Sequence, residues 1–246
     1  MASRALLPAA ILATLLCAGG LAAAEPVDLE LIFAADGSGS IDEEELKLQR
    51  DGYADALEDP RVLAAIANGQ HRAIAVCYTE WGSATSQHVI VDWAVIRDRA
   101  SAEAFGAKLR GAPRAATGYN SISGAIDFAV KQLRSNAYEA ERQVIDVSAD
   151  GPHYGGRPVE DARDDALKAG VTINGLVIKT RGGGSYRGPG GISLEQHFEL
   201  SIIGGPGSFV IAADQTRSFH QAILAKMARE IAAAPGAATK AAHRAE

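Results

Sequence analysis

Short apolar runs alternate along this chain with segments whose apolar residues recur at helical spacing. Residues 29–34, Leu-Glu-Leu-Ile-Phe-Ala, read as a buried strand, and residues 42–58 bring Leu46, Tyr53 and Leu57 onto one helical face behind an acidic first turn. Asp59-Pro60 ends that helix or restarts a short helical piece through Ile66. Strands are predicted over 72–78 and 87–93; the short turn 82–86 between them implies an antiparallel hairpin, because parallel neighbours need a long crossover. A helix over 101–109 precedes a loop, 111–118, that contains Pro113.

The clearest helix covers 121–133, where Ile122, Ala125, Ile126, Ala129, Val130 and Leu133 share one face. A strand over 143–149 follows and ends at Asp150-Gly151. Pro158, the acidic pair Glu160 and Asp161, and Gly170 punctuate the next helix, and 171–178 is again an apolar strand. The Gly-rich stretch 181–191 reads as a surface loop, 193–203 as a short helix, 208–212 as a last strand and 219–231 as a closing helix. Near-continuous apolar strands alternating with amphipathic helices predict an α/β fold. It is a doubly wound, mostly parallel sheet with one antiparallel edge strand and helices on both faces.

The two ends stand apart from this alternation. Arg4, the apolar run 5–16 and the small residues Ala22-Ala23-Ala24 have the layout of a cleavable signal peptide over 1–24. Leu16 before Cys17 is a poor match to a lipoprotein site. Residues 25–234 then form one domain, and 235–246 read as a disordered tail. No other apolar stretch approaches the ~20 residues of a membrane span, so the mature protein is expected to be periplasmic or secreted.

Composition narrows the functional classes. The full chain has 24 Lys and Arg against 30 Asp and Glu, a formal charge of −6; removing the leader takes away only Arg4, giving −7. An acidic exported chain is a poor nucleic-acid binder. One cysteine, Cys77, would remain, so no internal disulfide supports the core, and Cys77 itself reads as a small core hydrophobe.

The candidate chemistry lies where the first strand ends. Asp36-Gly37-Ser38-Gly39-Ser40 gathers one carboxylate and two hydroxyls on a tight turn, an all-oxygen set suited to a hard divalent cation. Taken alone, the same residues could simply cap the following helix. In a doubly wound sheet the ligand crevice lies at the carboxyl ends of the strands, where the chain order reverses. Asp36 and Asp150 both fall at such ends, and their carboxylates converge if the two strands are neighbours.

These residues resemble the von Willebrand factor A domain, whose metal-ion-dependent adhesion site uses Asp-x-Ser-x-Ser, a Gly-Gly-Thr loop opening a helix, and an Asp-Gly after a strand. Asp36, Ser38 and Ser40 match the first element and Asp150-Gly151 the third. In the second, counting back five residues from Ala125 puts Asn120 where the family has Thr. Three assignments stay open at this position: Asn120 as ligand, Thr117 or Ser121 in a shifted register, or Asn120 as the N-cap of the helix. The resemblance extends from Val27 to about Ile231. It takes in stretches such as 49–53, 173–176 and 203–209 that are similar to an uncharacterised bacterial branch of exported A domains.

The resemblance implies a site of Asp36, Ser38, Ser40, Asn120 and Asp150 holding Mg²⁺, or Mn²⁺ or Ca²⁺, with one position open to a carboxylate of a protein partner. It does not identify that partner. Glu80, Trp81, Tyr119 and His153 are candidates for the partner rim; the alternatives are a packed Trp81 beside a solvated Glu80, Tyr119 as a cover for the helix start and His153 as an ordinary turn residue. Asp146, in mid-strand, requires a hydrogen-bonded or sheet-edge role. An enzyme reading finds little support. Ser38 lacks the flanking glycines of a nucleophile elbow, and no phosphate loop of the Gly-x-x-x-x-Gly-Lys type occurs. Metal-assisted hydrolysis at Asp36 and Asp150, and a domain that binds its partner without metal, are the two rivals.

Overall fold

Strand β2, Glu30–Asp36, is apolar at successive positions because both of its faces are covered. Leu31, Phe33 and Ala35 enter one core with helices α1 (Glu43–Glu58), α2 (Pro60–Ala67), α3 (Arg99–Gly111) and α7 (Phe219–Ala232). Ile32 and Ala34 enter a second core with α4 (Ile122–Ser135) and α5 (Val159–Lys168), which also takes Leu194 of α6 (Leu194–His197). The computed structural model describes residues 24–179, 191–214 and 218–232. The leader expected over 1–24 (Ala24 excepted), the tail over 235–246 and the Gly-rich loop (Gly191 excepted) lie outside them.

The main sheet adds β3 (Ile74–Trp81), β4 (Gln87–Ile96), β6 (Gln143–Ala149), β7 (Val171–Ile178) and β8 (Val210–Ala213) in the order β4-β3-β2-β6-β7-β8. Every neighbouring pair is parallel except β3 with β4. The chain runs outward from β2 through β3 to β4, then returns to the other side of β2 with β6. The order therefore reverses between β2 and β6, the first and fourth of the predicted long strands. There Ala35 pairs with Ser148, and the next residues of the two strands lead into Asp36 and Asp150.

Local chemistry places the helices. Asp42 caps α1 with Glu45 in a reciprocal capping box, and Asp98 does the same for α3 with Ser101. Pro158, which its residue type would place at the first helical position, stands one residue earlier, at the N-cap of α5. Where a helix was predicted over 193–203, α6 is followed by a π-helical turn, Phe198–Ile202. A two-residue parallel ribbon, β1 (Glu25–Pro26) with β5 (Tyr138–Glu139), has no counterpart in the sequence pattern.

The rim reading of Glu80 and Trp81 is overturned, and one of the two roles open to Asp146 is excluded. Strand β3 continues past Tyr78 through Trp81, so Glu80 and Trp81 are fully buried rather than part of an exposed rim. Trp81 donates its indole N–H to Ala34 O at 2.9 Å, and Glu80 accepts from Arg50 Nε at 2.7 Å. Asp146 lies on β6, in the middle of the sheet. That excludes the sheet-edge explanation, and its carboxylate instead faces Lys226 of α7 at 2.7 Å.

Candidate metal centre

Asp36 is the last residue of β2, and its carboxylate turns back onto its own loop, accepting from Ser38 N–H at 2.8 Å. Gly37 fits because a Cβ there would stand 2.9 Å from Ala116 Cβ. The Ser38 and Ser40 hydroxyls are 3.0 Å apart, and Ser40 Oγ donates to Asp150 Oδ1 at 2.9 Å. A continuous row of oxygens thus links the turn after β2 to the turn after β6. Burial pushes the Asp36 carboxyl up to about 7, with the charge of Asp150 adding to the rise and hydrogen bonds from Ser38 and the Asp150 backbone opposing it.

The third loop comes from the start of α4. Its N-cap is Ser121, not Asn120: Ser121 Oγ accepts from Gly124 N–H at 3.3 Å and donates to Gly155 O at 2.9 Å. Thr117 is tied to the 82–86 turn, its N–H donating to Ser86 Oγ at 3.0 Å and its Oγ1 lying 3.5 Å from the same oxygen. Both alternative hydroxyls are therefore engaged elsewhere, whereas the Asn120 side chain, only 8% exposed, sits directly over Gly151. A Cβ at Gly151 would lie 2.3 Å from Asn120 Nδ2. Asn120 O accepts from Tyr154 N–H at 2.6 Å, which joins this loop to the one after β6.

Among the described residues, eleven buried side-chain polar atoms have no hydrogen-bond partner, and two of them, Asp36 Oδ2 and Asn120 Oδ1, belong to these loops. A buried oxygen deprived of a partner loses its hydration without return. A hard divalent cation would satisfy these two, and the available donors (carboxylate, hydroxyl and amide oxygens) are the kind it prefers. Among the described residues no group of three or more His, Cys, Asp or Glu forms a metal site. The centre offers two carboxylates, enough formal charge to balance a divalent cation, beside neutral hydroxyl and amide oxygens.

The surrounding residues divide into buried and open ones. His153 is half-buried: Nδ1 faces Ser123 N–H, in the first turn of α4, at 3.5 Å, and Nε2 is 3.1 Å from Arg157 O. Burial lowers its pKa, and its own backbone N–H faces His197 Nε2 at 3.4 Å. Tyr119 and Tyr154 are open, 71% and 73% exposed, on the two loops joined by the Asn120–Tyr154 hydrogen bond. Tyr154 has no signal in the sequence beyond standing four residues after Asp150.

The sheet order, the two helical layers and the three loops at the strand ends are those of the von Willebrand factor A fold. The chain belongs to the family described as Protein of unknown function (DUF1194), whose model matches residues 26–235. Solved structures share the fold at low identity. The pilus adhesin SpaC of Lactobacillus rhamnosus GG, in its open conformation, is 14% identical with a TM-score of 0.58, over 85% of this chain and 31% of that one. A von Willebrand factor type A protein of Catenulispora acidiphila is 14% identical with a TM-score of 0.55, over 84% and 42%. Proximal thread matrix protein 1 of the mussel byssus, with a zinc-occupied MIDAS motif, is 14% identical with a TM-score of 0.51, over 84% and 45%. The chain thus spans less than half the length of each. Among curated proteins no match is found.

Proposed function

We propose that this protein is an exported binding module that holds a divalent cation at Asp36, Ser38, Ser40, Asn120 and Asp150 and recognises a carboxylate on a protein partner. The observation that carries the reading is the pair of orphaned buried acceptors, Asp36 Oδ2 and Asn120 Oδ1, where three loops meet. The hydroxyls of Ser38 and Ser40, already linked to Asp150, supply neutral donors beside them. Mg²⁺ is the expected ion, with Mn²⁺ or Ca²⁺ as chemical equivalents; bound there, it would offer an electrophilic position to an outside carboxylate. Tyr119 and Tyr154 form the open rim around which a partner would pack. Export rests on the leader read at 1–24. Among the described residues no helix is long and apolar enough to cross a membrane.

Hydrolysis at the same centre is disfavoured by the placement of the possible bases. His153 is held between the start of α4 and Arg157 O, and Glu80 is committed to Arg50. A domain that binds by shape alone is the second rival, and metal dependence separates it from the cation reading. Millimolar Mg²⁺ or Mn²⁺ should raise the melting temperature of the mature protein, and Asp36→Ala should abolish the rise. The absence of any shift in the parent protein would sink the cation reading. Capture of a partner from a periplasmic extract should likewise be lost in EDTA; capture that persists would favour recognition without metal.

A further inference from the structure

We infer that Arg114 is a positioning residue of this centre: one guanidinium holds the Ser38–Ser40 loop in the shape that brings the Ser38 hydroxyl to Ser40 and the Ser40 hydroxyl to Asp150. The inference rests on the cation reading for its function but not for its geometry. Arg114 comes from the irregular segment between α3 and α4, and its Nη2 donates to Gly37 O at 3.1 Å, Ser38 O at 2.8 Å and Ile41 O at 2.7 Å. The carbonyls of Gly37 and Ser38 belong to the two peptide planes that flank Ser38, so their common donor fixes the orientation of that residue. Ile41 O brings in the far side of Ser40. From the other direction, Ser38 N–H is held by Asp36, and Gly39 N–H donates to Gly118 O at 2.9 Å.

The clamp is itself anchored. Arg50, buried and paired with Glu80, donates Nη2 to Pro113 O at 3.1 Å and Nη1 to Ala112 O, which fixes the backbone from which Arg114 projects. A chain of contacts therefore runs from Glu80 in β3 through Arg50 and residues 112–113 to Arg114 and the turn after β2. This gives buried Glu80 a role at the site even though it cannot touch a partner. Nη2 carries two hydrogens for three carbonyls, so one is shared between two acceptors; the advantage over a lysine ammonium on a flexible stem is the rigid, permanently charged plane that fixes where this nitrogen stands. The other terminal nitrogen, Nη1, pairs at 3.1 Å with Glu43, whose side chain is largely exposed, a contact of little energetic weight.

Electrostatics and positioning make opposite forecasts. A positive charge beside a cation site opposes metal binding, so removing it should tighten binding if charge were its only effect. Positioning demands that binding weaken. In metal-free Arg114→Ala protein, hydrogen exchange at the Ser38, Gly39 and Ile41 amides should accelerate at least tenfold while β6 amides stay unchanged. The Mn²⁺ dissociation constant, read by calorimetry, should rise at least tenfold, with Arg114→Lys recovering only part of the loss. Glu43→Ala should alter neither readout. Unchanged exchange in Arg114→Ala overturns the clamp, and unchanged or tighter Mn²⁺ binding overturns its role in positioning the centre. Parent protein that fails to bind Mn²⁺ overturns the underlying cation reading instead, a result distinguishable because the exchange measurement needs no metal.

Discussion

Replacing Lys226 with Met tests whether the polar cluster beneath the sheet is organised as the structure has it. Lys226 of α7 lies 2.7 Å from Asp146 Oδ1, pairs with Glu230 one turn on, and is buried together with both acids. Asn174 Nδ2 donates to Glu230 Oε1 at 2.9 Å, and the Phe209 ring lies 5.4 Å from the ammonium. One base thus faces two acids. Burial pushes the Asp146 carboxyl up, the Lys226 charge opposes that rise, and Glu230 adds to it. Met keeps most of the side-chain volume but leaves the carboxylates without a counter-charge, a loss on the order of 3–5 kcal/mol at neutral pH. For a chain of this size about 2–4 °C accompanies each kcal/mol, so the melting temperature should fall by about 6–20 °C.

The pH dependence sharpens that test. Without Lys226 the folded state should bind a proton that the unfolded chain does not, so the variant's stability must rise as pH falls. The deficit should shrink by up to about 1.4 kcal/mol per pH unit until the proton is fully taken up. Urea unfolding followed by circular dichroism at pH 7.5 and 5.0 measures both quantities. Adding Glu230→Gln to Lys226→Met should recover part of the loss at pH 7.5, since one buried charge goes with the base. A Lys226→Met variant within about 1 kcal/mol of the parent at pH 7.5, where salt-bridge loss should be largest, would refute the description of the cluster. So would a deficit equal at the two pH values.

Two further outcomes follow from the geometry of the loops. Gly151 is not among the glycines with positive φ, so Ala is compatible with its backbone, but the added Cβ would lie 2.3 Å from Asn120 Nδ2 and must push that amide aside. Gly151→Ala should therefore weaken Mn²⁺ binding by roughly tenfold, the scale of one lost ligand contact, with little change in metal-free melting; unchanged affinity would remove Asn120 from the ligand set. Burial lowers the pKa of both His153 and His197 below 6.5, so their neutral forms favour the fold: that contribution is complete above 6.5 and is lost as pH falls through the lower folded values. The hydrogen bond to Arg157 O and the charge of Glu160 oppose the lowering at His153, and at His197 Glu160 opposes it while the charge of His153 deepens it. Melting curves from pH 8 to 5 should show this decline, and His153→Gln should flatten part of it; an unchanged profile would exclude His153 from the effect.

The alternation of buried strands and amphipathic helices was legible in the chain because each signal is local. Strand β2 is apolar on both faces, α4 carries its apolar positions at helical spacing, and Asp42 and Asp98 cap their own helices within three residues. The same locality made Asp36, Ser38, Ser40 and Asp150 visible as oxygen donors at strand ends. Only the tertiary structure decided that β2 and β6 are neighbours, which brings Ser40 Oγ within 2.9 Å of a carboxylate 110 positions away. It also decided what no short-range pattern encodes: that Glu80 and Trp81 turn inward, that Asp146 answers to Lys226, that Ser121 rather than Asn120 caps α4, and that Arg114 gathers the carbonyls of a loop more than seventy residues before it. Periodicity reports which side of an element meets the core, because burial depends on neighbours three or four residues away. Which partner a buried charge or an irregular loop finds depends on how distant segments are stacked, and that is fixed only when the sheet has closed in its final order.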